Sequence, residues 1–417
     1  MNFNFLHPSN RLQKLSPYAF AEVDKLVTDL KKKGIEPIDF GVGDPFDPTP
    51  EFILDAIKKG LEKHKNAGYP NYIGMKHYRE KISEWMNNRF NVSLNPDTEI
   101  TSTIGGKEGI FHFPLGFVNP GDYVLMPSPG YPPYKTGTLF ASGIPYFYPL
   151  LEENNFYPDF KKIPKTILKK TKILWLNYPN SPTGKMATLD FYKHAIEFAH
   201  RHNIIIASDE CYTEIYFDEK PHSILEIDQK NIIVFQSLSK RSCMTGHRIG
   251  WACGDEKIIK IFKQVKTNID SGTPNFIQEG AIAALSNEKH VQKMNKKYRE
   301  KRDIMLETLS SIGLKTYRPE ATFYIWQRVP EDETSITFAK KLLQKCAIVV
   351  TPGEWISEPI KINQKTFKKH SSNDKNIKNR TKTAKIDNPG KNFIRFALVP
   401  TFQQIQKASK AIKSGIF

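Results

Sequence analysis

At 417 residues the chain is long enough for two domains, and no run approaches the roughly 18 consecutive apolar residues that a membrane-spanning helix needs. Its net charge of +17 raises nucleic-acid binding, but segment 361–391, KINQKTFKKHSSNDKNIKNRTKTAKIDNPGK, holds ten Lys or Arg against two Asp and so supplies about half of that excess. Such a polar stretch cannot bury enough apolar surface to offset its ordering entropy, which predicts a solvated basic loop insert at about 360–391, at most weak polyanion contact and no specific nucleic-acid partner.

The first twenty residues, MNFNFLHPSNRLQKLSPYAF, lack an apolar core between a basic start and a small-residue cleavage site, and this predicts a cytoplasmic protein. Cys211, Cys243, Cys253 and Cys346 show neither CxxC spacing nor the density of a disulfide scaffold, so they read as reduced, space-filling thiols. A helix is expected in FAEVDKLVTDLKKKG, within an N-terminal arm of residues 1–46 that packs as part of a smaller C-terminal domain. From 47 to 290, helix-like stretches alternate with short apolar runs: DYVLMPS (122–128), KILWLNYP (172–179), NIIIASDE (203–210), NIIVFQSLS (231–239) and RIGWACG (248–254). Continuous apolar strands between helices predict an α/β domain built on a mostly parallel sheet covered on both faces. A long helix over 288–313 follows, and then strands in TFYIWQRV (322–329) and NFIRFALV (392–399). Residues 291–417 therefore read as a smaller α+β domain carrying the insert.

In an open parallel sheet, ligands collect beyond the carboxyl ends of the strands. Those ends carry Asn180 in NYPNSPTG, Asp209 and Tyr212 in SDECY, Ser237, Ser239 and Lys240 in SLSK with Arg248 eight residues on, Tyr131 in PGYPPY, and the turn GGKEG (105–109) with Gly106 and Lys107. Each has an ordinary reading alone: Asp209 as a helix cap, Asn180 as a turn residue, Tyr131 as a filler, Arg248 and Lys240 as solvated charges. Together they match one chemical demand. A glycine-rich helix start with two serines and a guanidinium fork satisfies a phosphate dianion. An aspartate facing a pyridine nitrogen keeps that nitrogen protonated and makes the ring an electron sink, and a lysine near an aldehyde forms a Schiff base. The cofactor that needs all of these is pyridoxal 5′-phosphate.

The ordered set NYPNSPTG, SDECY, SLSK…GHRIG and FIRFAL resembles the class I/II aminotransferases of fold type I, over essentially the whole chain outside the insert. SPYAFAEVDKL, GVGDPFDPTP, GTLFASGIPYFYPLLEENNFYPD, KTNIDSG and ATFYIW are more closely similar to the LL-diaminopimelate aminotransferases. The resemblance implies a large domain with a seven-stranded, mostly parallel sheet, a homodimer with active sites at the subunit interface, a cytoplasmic setting and a role in lysine and peptidoglycan precursor synthesis. It implies Lys240 as the Schiff-base lysine, Asp209 at the pyridine nitrogen, Tyr212 and Asn180 at the phenolic oxygen, and Tyr131 on the ring. Ser237, Ser239, Arg248, Gly106 and Lys107 would hold the phosphate. Tyr69, or its neighbour Tyr72, would reach the phosphate of the other subunit. Arg395 would clamp the substrate carboxylate, with Gly43, Tyr18, Lys107, Tyr131 and Asn180 on the substrate side and no metal in the site.

Three departures from the family pattern stand out: Gly106 replaces a serine, Arg241 and His247 are placed near the cofactor region, and the loop before Arg395 is lengthened. The implied reaction is ping-pong amino transfer from LL-diaminopimelate to 2-oxoglutarate, with Lys240 as proton carrier. Aminotransfer from N-succinyl-diaminopimelate or another amino acid, and a fold type I lyase, are the enzymatic alternatives. A cofactor-sensing regulator is the non-enzymatic one, and the forty or so residues before GVGDP are too few for its DNA-binding domain.

Overall fold

The computed structural model describes residues 7–15, 21–45, 47–66, 68–362 and 385–416. Tyr18 and residues 363–384 of the basic segment lie outside the described residues. In chain order the strands are β1 (Ile38–Asp39), β2 (Ile100–Thr103), β3 (Tyr123–Ser128), β4 (Ile144–Pro149), β5 (Thr171–Asn177), β6 (Ile205–Asp209), β7 (Ile232–Ser237) and β8 (Gly250–Gly254), then β9 (Tyr324–Arg328), β10 (Ile348–Val349), β11 (Thr351–Pro352), β12 (Ile360–Ile362), β13 (Lys385–Asp387) and β14 (Phe393–Ala397).

Seven of these strands form one sheet in the order β2-β8-β7-β6-β5-β3-β4, in which β8 alone runs against its neighbours. The fold is thus α/β with a seven-stranded, mostly parallel sheet. Its strands are apolar along their length because both faces are covered. On β5, Ile173 and Trp175 enter a core with Phe113, Phe235 and Phe262, while Leu174 and Leu176 enter the opposite core with Ile206, Val234 and Trp251. That is the period-two alternation of a pleated strand between two helical layers. The helix Leu189–Arg201 shows how a layer is made. Thr188 caps it by accepting the Phe191 N–H at 3.1 Å, and its buried Tyr192, Ala195, Ile196 and Ala199 recur at the i, i+3, i+4, i+7 spacing of one helical face.

A three-stranded antiparallel sheet, β11-β14-β9, gathers a separate core of Phe323, Ile325, Ile394 and Phe396 with Phe338, Leu342 and Ile405. The N-terminal segment joins this region, since β1 pairs in parallel with β10 and Ile38, Phe40 and Ile348 share the same core. After β3 the chain places β4 outward, then returns to build β5, β6 and β7 on the other side of β3. The reversal puts a topological switch point at the carboxyl ends of β3 and β5, where ligands gather in such sheets. Among the described residues no helix is long and apolar enough to cross a membrane.

Candidate active site

The strand ends bring most of the sequence-predicted residues to one place. Asp209 ends β6 and Ser237 ends β7, while Tyr131 and Asn180 follow β3 and β5. Because β8 runs in the opposite direction, Arg248, just before its start, comes to the same end. The helix Gly105–His112 follows β2 there as well.

Lys240 lies on the short helix Leu238–Arg241, whose cap is Ser237. Its ammonium Nζ donates to the Gly43 carbonyl at 2.7 Å, across 197 positions of chain. Burial pulls its pKa below that of an ordinary lysine. A partly desolvated amine is more available in its neutral, nucleophilic form. Asp209 is almost wholly buried. Its Oδ2 accepts the Tyr134 hydroxyl at 2.6 Å and its Oδ1 accepts the Cys211 N–H at 3.2 Å. Burial raises its pKa, and both of these partners are neutral. A cationic ring nitrogen is the kind of partner that would bring the carboxylate back to its charged form.

Tyr212 and Tyr324 share a hydroxyl–hydroxyl bond of 3.1 Å. Burial, then Tyr324, holds the Tyr212 phenol well above its usual pKa, so it stays a donor. Arg395 stands on β14, with its guanidinium 4.5 Å from the centre of the Tyr324 ring. One Nη donates to the Gly41 carbonyl at 2.8 Å and to Thr351 Oγ1 at 3.2 Å, while the buried Nε has no partner among the described residues. A buried donor without an acceptor is costly and marks where a ligand oxygen fits. Asn180 is fully buried, with its Oδ1 accepting from the Thr183 backbone and hydroxyl at 3.1 and 2.8 Å and its Nδ2 donating to Asn177 at 3.4 Å.

Around the helix Gly105–His112, no side chain caps the first turn. Ser237 Oγ and Ser239 Oγ are 3.0 Å apart, and both residues are buried. Arg248, in left-handed backbone at φ 54, is held by Nη bonds to the Thr245 and Ile104 carbonyls at 2.7 and 3.4 Å. Gly105 is at φ +73, and a Cβ there would lie 2.3 Å from an Arg248 Nη. Only glycine lets the guanidinium lie across this turn. Hydroxyls, a fork and an open helix start fit a phosphate, and Asp209, Lys240 and Arg395 fit a pyridoxal ring and a substrate carboxylate.

Lys107 is exposed at the start of the same helix, and Tyr131 is 38% exposed, edge-on to Tyr134 at 5.8 Å. Tyr69, at 85% exposure, and Tyr72, at 41%, point into solvent. Arg241 turns away from Lys240. It lies 5.3 Å over the Trp85 ring, donates to the Ala284 carbonyl at 3.0 Å and pairs with Glu288, so it serves the core beneath the site. His247 is half-buried, and its Nδ1 has no partner among the described residues.

Three contributors escaped the sequence reading. Tyr134 bonds Asp209 across 75 positions, Tyr324 bonds Tyr212 across 112, and Cys211 places its sulfur 2.9 Å from where a Gly106 Cβ would be. The weak signals were Tyr134 three residues after Tyr131, Tyr324 inside ATFYIW, and Cys211 between Asp209 and Tyr212.

Residues 35–363 match the family described as aminotransferase class I and II. The LL-diaminopimelate aminotransferase of Aquifex aeolicus is 48% identical over 354 residues, covering 84% of this chain and 92% of its own. That of Halothermothrix orenii is 43% identical over 354 residues, covering 84% and 91%. Among solved structures, substrate-bound BacF from Bacillus subtilis superposes with a TM-score of 0.85 at 32% identity, covering 98% of this chain and 97% of its own.

Proposed function

The chain belongs to the class I and II aminotransferase family, and from that premise we propose that it is a pyridoxal 5′-phosphate-dependent LL-diaminopimelate:2-oxoglutarate aminotransferase. That it is an aminotransferase follows from the family. The substrate is carried by one observation: relatives bearing the LL-diaminopimelate aminotransferase name are 48% and 43% identical across 84% of the chain.

Bound pyridoxal phosphate would supply an aldehyde for the amine and a protonated ring that withdraws electrons. This chain's residues would do the rest. Lys240 Nζ, whose pKa burial pulls below that of an ordinary lysine, would hold the aldehyde group and would move a proton at the substrate α-carbon. Asp209 holds the ring nitrogen proton, and Tyr134 holds Asp209 in place. Tyr212 and Asn180 would donate to the phenolic oxygen, and Tyr131 would lie over the ring. Ser237, Ser239, Arg248 and the Gly106–Lys107 backbone hold the phosphate. Arg395 takes the substrate α-carboxylate as a bidentate fork, which lysine would not replace. Gly43 belongs to the substrate side through its carbonyl bond with Lys240.

The same proposal divides the chain into an arm at 1–46, a cofactor domain at 47–290 and a small domain at 291–417, and it holds a cytoplasmic homodimer. The exposed Tyr69 supports the dimer, because a neighbouring subunit's site would give its ring a partner.

The experiment is a comparison of kcat/KM on the cofactor-loaded protein for LL-diaminopimelate, its N-succinyl derivative, alanine and aspartate, with 2-oxoglutarate as acceptor. A site built around the distal ammonium and carboxylate rejects compounds lacking them by factors of about 10⁴–10⁵. Preference for the succinylated compound would replace the substrate and leave the reaction standing. Release of carbon dioxide or ammonia without glutamate would replace the reaction itself.

A further inference from the structure

Tyr324 has no assigned role, yet three functional groups meet it. It is 4% exposed, at the start of β9, on the same sheet face as Arg395, which stands diagonally across from it on β14. Its hydroxyl lies 3.1 Å from that of Tyr212, and its ring carries the Arg395 guanidinium at 4.5 Å. A Cβ on Gly43 would stand 2.0 Å from the same hydroxyl, so Gly43 is glycine because Tyr324 occupies that space. Through the Gly43 carbonyl, Lys240 is tied to the same point at 2.7 Å.

We propose that Tyr324 is a positioning residue that donates its hydroxyl hydrogen to Tyr212 Oη, leaving the Tyr212 hydrogen free for the cofactor's phenolic oxygen. The inference rests on the reading of Tyr212 as the residue that donates to that oxygen. The direction follows from counting hydrogens. Two hydroxyls bring two, and if Tyr212 spent its own on Tyr324 none would remain for the cofactor. A hydroxyl that accepts a bond also donates more strongly, so Tyr324 makes the Tyr212 bond better. A better bond to the phenolate lowers the basicity of the group conjugated with it.

The hydroxyl and the ring have separate jobs, and two variants separate them. Tyr324→Phe keeps the ring under Arg395 and removes only the hydroxyl, whereas Tyr324→Leu removes both. The groups facing this pair, namely Tyr131, Asp209, Lys240, Tyr298 and Arg395, are the same in wild type and Tyr324→Phe, so the difference between those two reports the hydroxyl alone.

The test is a pH titration of the visible absorbance of protein loaded with pyridoxal phosphate, for wild type, Tyr324→Phe, Tyr324→Leu and Tyr212→Phe, together with kcat and KM. Tyr212→Phe moves the midpoint to higher pH. Tyr324→Phe moves it in the same direction by about half a unit, lowers kcat and leaves KM within about twofold. Tyr324→Leu adds a rise in KM of about tenfold, because Arg395 loses its support. A midpoint that stays fixed or falls in Tyr324→Phe while Tyr212→Phe raises it overturns the role of Tyr324 alone. A fixed midpoint in both overturns the reading of Tyr212 and this proposal with it.

Discussion

Single residues in this site are set by what surrounds them more than by their type. Two neighbouring carboxylates show it. Asp209 accepts the Tyr134 hydroxyl, whereas the next residue, Glu210, is fully buried, with Oε1 accepting from Ser208 Oγ at 2.9 Å and the Ile224 N–H at 3.0 Å and with Oε2 unpartnered among the described residues. Burial lifts the Glu210 pKa from 4.5 to about 7. Its folded form therefore holds a proton that the unfolded chain has already lost, so its contribution is fully present below pH 4.5 and falls as pH rises to about 7. The slope is at most about 1.4 kcal/mol per pH unit. His290, lowered from 6.5 to about 4 by burial and by Arg241, contributes the opposite slope between those values. The difference between wild type and Glu210→Gln isolates the first effect. Denaturant midpoints measured from pH 4 to 8 are expected to fall with pH in wild type relative to Glu210→Gln, and parallel curves would show that Glu210 titrates normally. Asp209 was readable in the sequence because it ends an apolar run at a strand terminus. The distinct environments of the two carboxylates were not, because the Ser208, Ile224 and Tyr134 contacts are made by tertiary packing.

At the scale of elements, the strand-and-turn units were legible wherever apolar runs were continuous. KILWLNYP became β5 (Thr171–Asn177), NIIVFQSLS became β7 (Ile232–Ser237), and the stretch 288–313 became the helix Lys289–Ser311. Strand β4 escaped, because IPYFYP carries two prolines and pairs with only β3 at the sheet edge, where proline is tolerated. The antiparallel sense of β8 was also hidden, since RIGWACG is as apolar as its parallel neighbours. The helix Gly105–His112 shows packing deciding a residue. The serine expected at position 106 is glycine here, and a Cβ would lie 2.9 Å from Cys211 Sγ and 3.6 Å from Ser237 Cβ. Glycine and cysteine thus fill one space together, and the thiol is part of the site wall. Gly106→Ser is expected to weaken pyridoxal phosphate binding by about tenfold through this clash, and adding Cys211→Ala is expected to restore most of it. Equal losses in the single and double variants, measured by fluorescence titration of cofactor into apoprotein, would show that the two positions are independent.

Across the whole molecule, the site is where separate parts of the chain meet. Lys240 comes from the short helix after β7 of the seven-stranded sheet and Arg395 from the three-stranded one, while Gly43, which follows β1, touches both Lys240 and Tyr324. The sequence revealed the order of the motifs and hence the family resemblance, because each motif is local. Their mutual distances depend on crossings of up to 354 positions, as in the Arg395–Gly41 bond, and only the folded chain shows these. The whole arrangement turns on one covalent position. The most direct test is borohydride reduction of the pyridoxal phosphate-loaded protein followed by peptide mass mapping, which fixes the cofactor wherever it is attached. The account predicts a single pyridoxyl mass on the peptide that contains Lys240 and none in Lys240→Ala. A modification carried mainly by another lysine, or the same yield in Lys240→Ala, would contradict it.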